Sequence, residues 1–304
     1  MTSPLRTICL LLLTAASAFL CSGCGPAVRF MANTGDQSKG ITYYIGGAGP
    51  IGNVGSLDIP NGLQDAGYEG AIEVFTWQGF THAGDQINLS RNRSKAAELS
   101  TKIRNYRRRY PNNEIHIIAL SAGTGIATFA LEYLPQDVHI DQMVFLGCSM
   151  SSRYDLTRAL RRVQGRLYVI YSPRDPILSK VVWYTGTVDR ASAAEDGIAG
   201  LRGFRMPHSM GPDTERQYTK LYNVPWRIDF SDAGYDGLHT DSTKRDFIRR
   251  YIGPLILGED ENLIGPGGQY ADVPFGAAQR PSGSGGATSR PAEQANAVES
   301  QVNR

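Results

Sequence analysis

Cysteine is scarce in this chain of 304 residues: there are four, and Cys9, Cys21 and Cys24 crowd the N-terminus, leaving Cys148 alone in the body. No disulfide framework can therefore hold the fold, which must rely on a hydrophobic core. Histidine is equally thin. The five histidines are scattered, no His-Glu-x-x-His stretch or paired cysteines occur, and Asp232, Asp236 and Asp241 do not keep calcium-loop spacing. No metal site and no cofactor is implied. Neither sign of charge dominates, because 31 Lys and Arg face 29 Asp and Glu for a net charge of +2. That balance argues against nucleic acid as a partner. The basic clusters 104–110 and 158–162 alternate with apolar residues, as solvated helix faces do.

The N-terminal apolar run, Ile8 to Leu20, is too short for a comfortable membrane span. It follows Arg6 and leads into small residues, so residues 1–23 read as a secretory signal peptide. Ser22-Gly23-Cys24 resembles the end of a bacterial lipobox, which implies lipidation of Cys24 and a membrane-anchored lipoprotein of the cell envelope. Cys21 stands where that motif has leucine, and an ordinary cleaved signal with Cys24 as a plain thiol is the alternative. Residues 24–39 then form a linker. The stretch 261–304 is rich in Gly, Pro, Ser and Ala with few large apolar groups, and is expected to be a disordered tail.

Between these ends, residues 40–260 alternate two kinds of segment. Apolar, β-branched runs at 41–45, 71–77, 115–120, 142–146, 167–171 and, less clearly, 224–230 lack period-two polarity, as strands covered on both faces do. Helical patterns lie between and after them at 92–109, 124–134 and 242–257. The alternation predicts one α/β domain: a mostly parallel central sheet with helices on both faces.

In such sheets reactive groups collect at the carboxyl ends of strands. Ser121 follows the run IHIIAL and precedes Ala122, Gly123 and a helix. Small neighbours permit a sharp strand-to-helix turn that exposes a hydroxyl beside helix N–H groups. Ala119-Leu120-Ser121-Ala122-Gly123 resembles the GxSxG nucleophile elbow of the α/β-hydrolase superfamily, with alanine for the first glycine. The resemblance implies an order of serine, acid, histidine, which Asp175 (in YSPRDPIL) and His239 (in GYDGLHTDST) satisfy. Ser121 is then the expected nucleophile, His239 its base and Asp175 the carboxylate that orients the imidazole. Asp155 and Asp189 are runner-up acids, and His208 is the runner-up base.

The resemblance also implies oxyanion donors from the glycine-rich loop after the first strand, Gly47 or Ala48, together with Ala122. A phosphate cradle is the competing reading of that loop, but the Lys-Ser/Thr ending of a P-loop is absent. Residues 147–165 are too short for a separate cap domain, so a substrate wall is expected from 177–223. Trp77, Phe80, Trp183, Tyr184, Phe204 and Met206 are candidates for it, with Trp77 and Trp183 foremost. The implied activity is hydrolysis of an ester bond in a small-molecule or acyl substrate through an acyl-enzyme. Two alternatives stay open: an inactive hydrolase-like envelope binding protein, and an acyltransferase with the same triad.

Overall fold

The computed structural model describes residues 33–49, 54–77, 88–191 and 193–259. The expectations for the signal peptide, Cys24, Phe80 and the C-terminal tail fall outside them. Among the described residues, six strands form one wholly parallel sheet in the order β2-β1-β3-β4-β5-β6. They are β1 (Asp36–Ile45), β2 (Gly70–Phe75), β3 (Ile115–Leu120), β4 (Gln142–Leu146), β5 (Leu167–Tyr171) and β6 (Leu221–Pro225).

The apolar runs are continuous because both faces of the sheet are covered. Successive side chains alternate faces. Tyr43, Ile117 and Phe145 join one buried cluster, on the side of helices α2 (Leu89–Arg109) and α3 (Gly123–Glu132). Tyr44, Ile118 and Leu146 join the other, which includes residues of α1 (Asp58–Asp65) and of the helical stretch 245–256. Asn88 starts α2 by accepting the Arg91 N–H at 3.0 Å. Every residue of α3 is buried. It is thus a core helix, and truncating Phe129 to alanine there would cost roughly 3–5 kcal/mol.

Boundaries differ most from expectation in two places. β1 begins at Asp36, and its first four residues are exposed, so no apolar signal marks them. The last strand is Leu221–Pro225 rather than 224–230. Its half-exposed edge position admits Tyr222 and Asn223 and weakens the apolar run. Residues Ile228–Ala233 turn into a 3-10 helix instead, which lodges Phe230 against Phe247, ring centroids 5.2 Å apart. The described chain between β5 and β6 carries several short helices, the first of which leaves the carboxyl end of β5.

Candidate active site

Ser121 sits in the left-handed region at φ 54°, one of two non-glycine residues with positive φ among those described. That conformation costs a non-glycine residue about 1–2 kcal/mol and persists only where surrounding bonds enforce it. They do so here. The Ser121 N–H donates to the Leu146 carbonyl at the tip of β4 (2.9 Å), and the Ser121 carbonyl accepts from the Thr124 N–H (3.1 Å). The same carbonyl accepts from Thr124 Oγ1 at 2.6 Å. α3 starts at once, which leaves the side chain at the junction of strand and helix.

Asp175 and His239 are in direct contact. The Nδ1 of His239 lies 2.6 Å from Asp175 Oδ2, and both side chains are buried. The other carboxylate oxygen, Oδ1, accepts the N–H groups of Ile177 (2.9 Å) and Leu178 (3.0 Å). Each oxygen of the carboxylate thus has defined donors, so the group is held in one orientation. The histidine loop approaches through Gly237, φ +91°, where a Cβ would lie 2.8 Å from Ser172 Oγ.

Gly147 joins the two halves of the site. It follows Leu146, whose register partner is Leu120, so Gly147 and Ser121 leave adjacent strand tips. Neighbouring strands run about 4.8 Å apart. A Cβ at Gly147 would lie 3.2 Å from His239 Nδ1 and 3.5 Å from Asp175 Oδ2. The imidazole therefore lies over the strand tip next to the serine turn. Its Nε2 is buried and has no hydrogen-bond partner among the described residues, Ser121 Oγ included.

The glycine-rich loop after β1 comes to the same place. A Cβ at Gly123 would collide with the carbonyl oxygens of Ile45 and Gly46, so only glycine allows α3 to start so close to that loop. Ala48 and Ala122 are fully buried. The first N–H groups of a helix have no intrahelical acceptor, which places donors from Ala122 and Gly123 at this junction. Trp77 is 1% exposed, and its Nε1 donates to the Gly46 carbonyl at 2.9 Å. It braces the loop from within the core rather than forming an open wall. Phe204 is buried as well, against Phe145. Trp183 and Tyr184 are exposed.

The sequence is matched by no family model and by no curated protein. Among solved structures, it is similar to an esterase of Pyrococcus furiosus, with 12% identity over 75% of this chain and 84% of that one, at a TM-score of 0.40. It is also similar to a thioesterase domain from the curacin biosynthetic pathway (8% identity, 74% of this chain, 93% of that one, TM-score 0.41). A third similarity is to carboxyl esterase 2 of Tuber melanosporum (12% identity, 73% and 78%, TM-score 0.38). At these TM-scores, the functional reading rests on the chain's own geometry.

That geometry separates the competing candidates. Asp155 accepts the Thr157 N–H at 2.9 Å and serves a turn. Asp189 accepts the Ser151 N–H at 3.0 Å, and burial raises its carboxyl above the usual range. His208 is exposed and pairs with Asp196 at 3.0 Å. Neither runner-up acid bonds to His239. Cys148 is fully buried beside Gly147, and burial pushes its thiol up to about 12, so it stays protonated at neutral pH.

Three contributors escape sequence reasoning. Gly147 carried a signal, a glycine ending an apolar run, but nothing local shows that an imidazole covers it. Thr124 read as an ordinary first-turn residue of α3, whereas its hydroxyl pins the serine turn. Gly200 lies far along the chain, yet its N–H donates to the Cys148 carbonyl (2.8 Å) and its carbonyl accepts from Ser172 (2.9 Å). It stitches the tails of β4 and β5 together beneath the site.

Proposed function

We propose that the chain is a serine hydrolase that cleaves an ester bond through an acyl-enzyme. The observation that carries this reading is the buried His239–Asp175 hydrogen bond of 2.6 Å lying over Gly147, next to the strained turn of Ser121. Asp175 would fix the tautomer with the proton on Nδ1, leaving Nε2 as the base. In the first step Ser121 Oγ bonds to the ester carbonyl carbon while its proton passes to Nε2. The carbonyl oxygen takes up negative charge, and the Ala122 N–H with Gly47 or Ala48 would receive it. Collapse breaks the carbon–oxygen bond of the leaving alcohol, which departs with the Nε2 proton. Water then repeats the sequence on the acyl-serine and frees the acid.

The unpaired Nε2 also favours a second reading, an inactive hydrolase-like binding protein of the envelope. Treatment with a fluorophosphonate separates the two. Wild type should be labelled and Ser121→Ala should not; a folded wild-type chain that stays unlabelled supports the binding protein. Adding an alcohol to the ester assay distinguishes acyl transfer to that alcohol from hydrolysis. The export reading, with Cys24 as a lipid-bearing residue, is tested by metabolic labelling with a fatty acid, which Cys24→Ser should abolish.

A further inference from the structure

The helical segment Ile177–Val182 and its continuation Trp183–Thr185 leave directly from Asp175. On the inner side, Leu178 and Val182 are buried with Ala193 and Ile198 in a small apolar cluster of their own. A surface helix with an inward stripe normally carries polar groups outside. This one does not. Val181, Trp183 and Tyr184 are 38%, 42% and 88% exposed. Apolar side chains thus occur on both sides of the segment, and the outer ones stand exposed among the described residues.

Within residues 173–190, the exposed charges are all of one sign. Arg174, Lys180 and Arg190 are exposed within residues 173–190. The two carboxylates of that stretch are both engaged inward: Asp175 with His239, and Asp189 with the Ser151 N–H. Arg174 lies over the Trp226 ring at 4.4 Å, and Arg190 donates to the Thr185 carbonyl at 3.3 Å. Elsewhere basic side chains meet acids, as in Lys39–Glu69, Lys102–Glu73 and Arg245–Asp65. An exposed Trp and Tyr in a stretch whose exposed charges are all cationic fits the interfacial zone of an anionic bilayer, where the rings sit at headgroup depth and the cations meet phosphates. A second copy of the chain would oppose the same positive charges across an isologous contact, which disfavours it.

We propose that residues 173–190 dock on an anionic lipid surface and turn the Asp175–His239 edge of the sheet toward it. This stands whether or not Ser121 is a nucleophile. The test uses the full chain with vesicles of phosphatidylcholine and phosphatidylglycerol carrying brominated acyl chains, and reads tryptophan fluorescence. Depth of Trp183 is the readout, because the N-terminal apolar run could hold the chain on a vesicle by itself. Wild-type emission should be quenched, and Trp183→Phe, which leaves Trp77 and Trp226, should lose most of that quenching. Reversing Lys180 and Arg190 to glutamate should weaken the quenching-derived partition by about tenfold or more, since each basic residue near such a surface adds about 1 kcal/mol. Tyr184→Ser, at a position too exposed to affect folding, should lower the partition several-fold. Bound chain without Trp183 quenching, or equal quenching in Trp183→Phe, overturns the proposal. So does a concentration-dependent blue shift without lipid that tracks dimer formation in sedimentation, which would assign the face to a second copy.

Discussion

The Nδ1 of His239 and Oδ2 of Asp175 are 2.6 Å apart, although 64 positions separate the two residues in the chain. The contact is buried, and the opposite oxygen of the carboxylate is fixed by two backbone N–H groups. Asp175→Asn can keep those two bonds through its carbonyl oxygen while presenting an amide NH2 to His239. The wrong tautomer would then be favoured, and kcat for a p-nitrophenyl ester should fall by about 10³–10⁴ with the fold intact. Asp155→Asn, which alters only a turn, should leave kcat within about twofold. Steady-state kinetics beside circular dichroism checks both.

Gly147 has φ +50° and lies under the imidazole. Gly147→Ala adds a methyl 3.2 Å from His239 Nδ1, tighter than ordinary contact, in a backbone region that L-residues avoid. The expected outcome is a loss of about 1–2 kcal/mol in stability by denaturant titration and at least about tenfold in kcat/KM, because the ring must shift.

Strain at Ser121 predicts unequal stability in two variants that both lose the nucleophile. Glycine accepts φ 54° without the Cβ conflict that alanine keeps. Ser121→Gly should therefore be more stable than Ser121→Ala by about 1 kcal/mol, while neither reacts with a fluorophosphonate. Thermal melts of the two variants decide it.

Asp189 links stability to pH. Burial raises its carboxyl in the folded chain, so the unfolded chain releases that proton first. Stability is then fully present below the ordinary carboxylate value, about 3.9, and is lost as pH rises through the higher folded value. Asp189→Asn keeps an oxygen for the Ser151 N–H and carries no such penalty. Its melting temperature should gain on wild type as pH is raised from the acid side to neutrality. A constant gap would show that the buried carboxyl does not titrate differently on folding.

Much of this molecule was legible residue by residue. The doubly covered strands announce themselves as continuous apolar runs such as Ile115–Leu120, and the small residues after Ser121 announce the turn, because both are properties of a few consecutive side chains. The edge strand Leu221–Pro225 is displaced from the apolar run 224–230 because half-exposure removes that signal. Trp77 read as a wall of the site, but a ring's destination depends on which loop needs its N–H, here that of Gly46.

The sequence by itself determined a parallel sheet between helices and a serine at one strand tip, since hydrophobic period and turn chemistry are local. Only the tertiary structure decided which of three aspartates meets a histidine, that Gly147 gives the ring its seat, and that Val181, Trp183 and Tyr184 face outward. Those outcomes depend on strand order and register between distant segments, where the free energy of packing is shared by the whole core and is written in no single stretch.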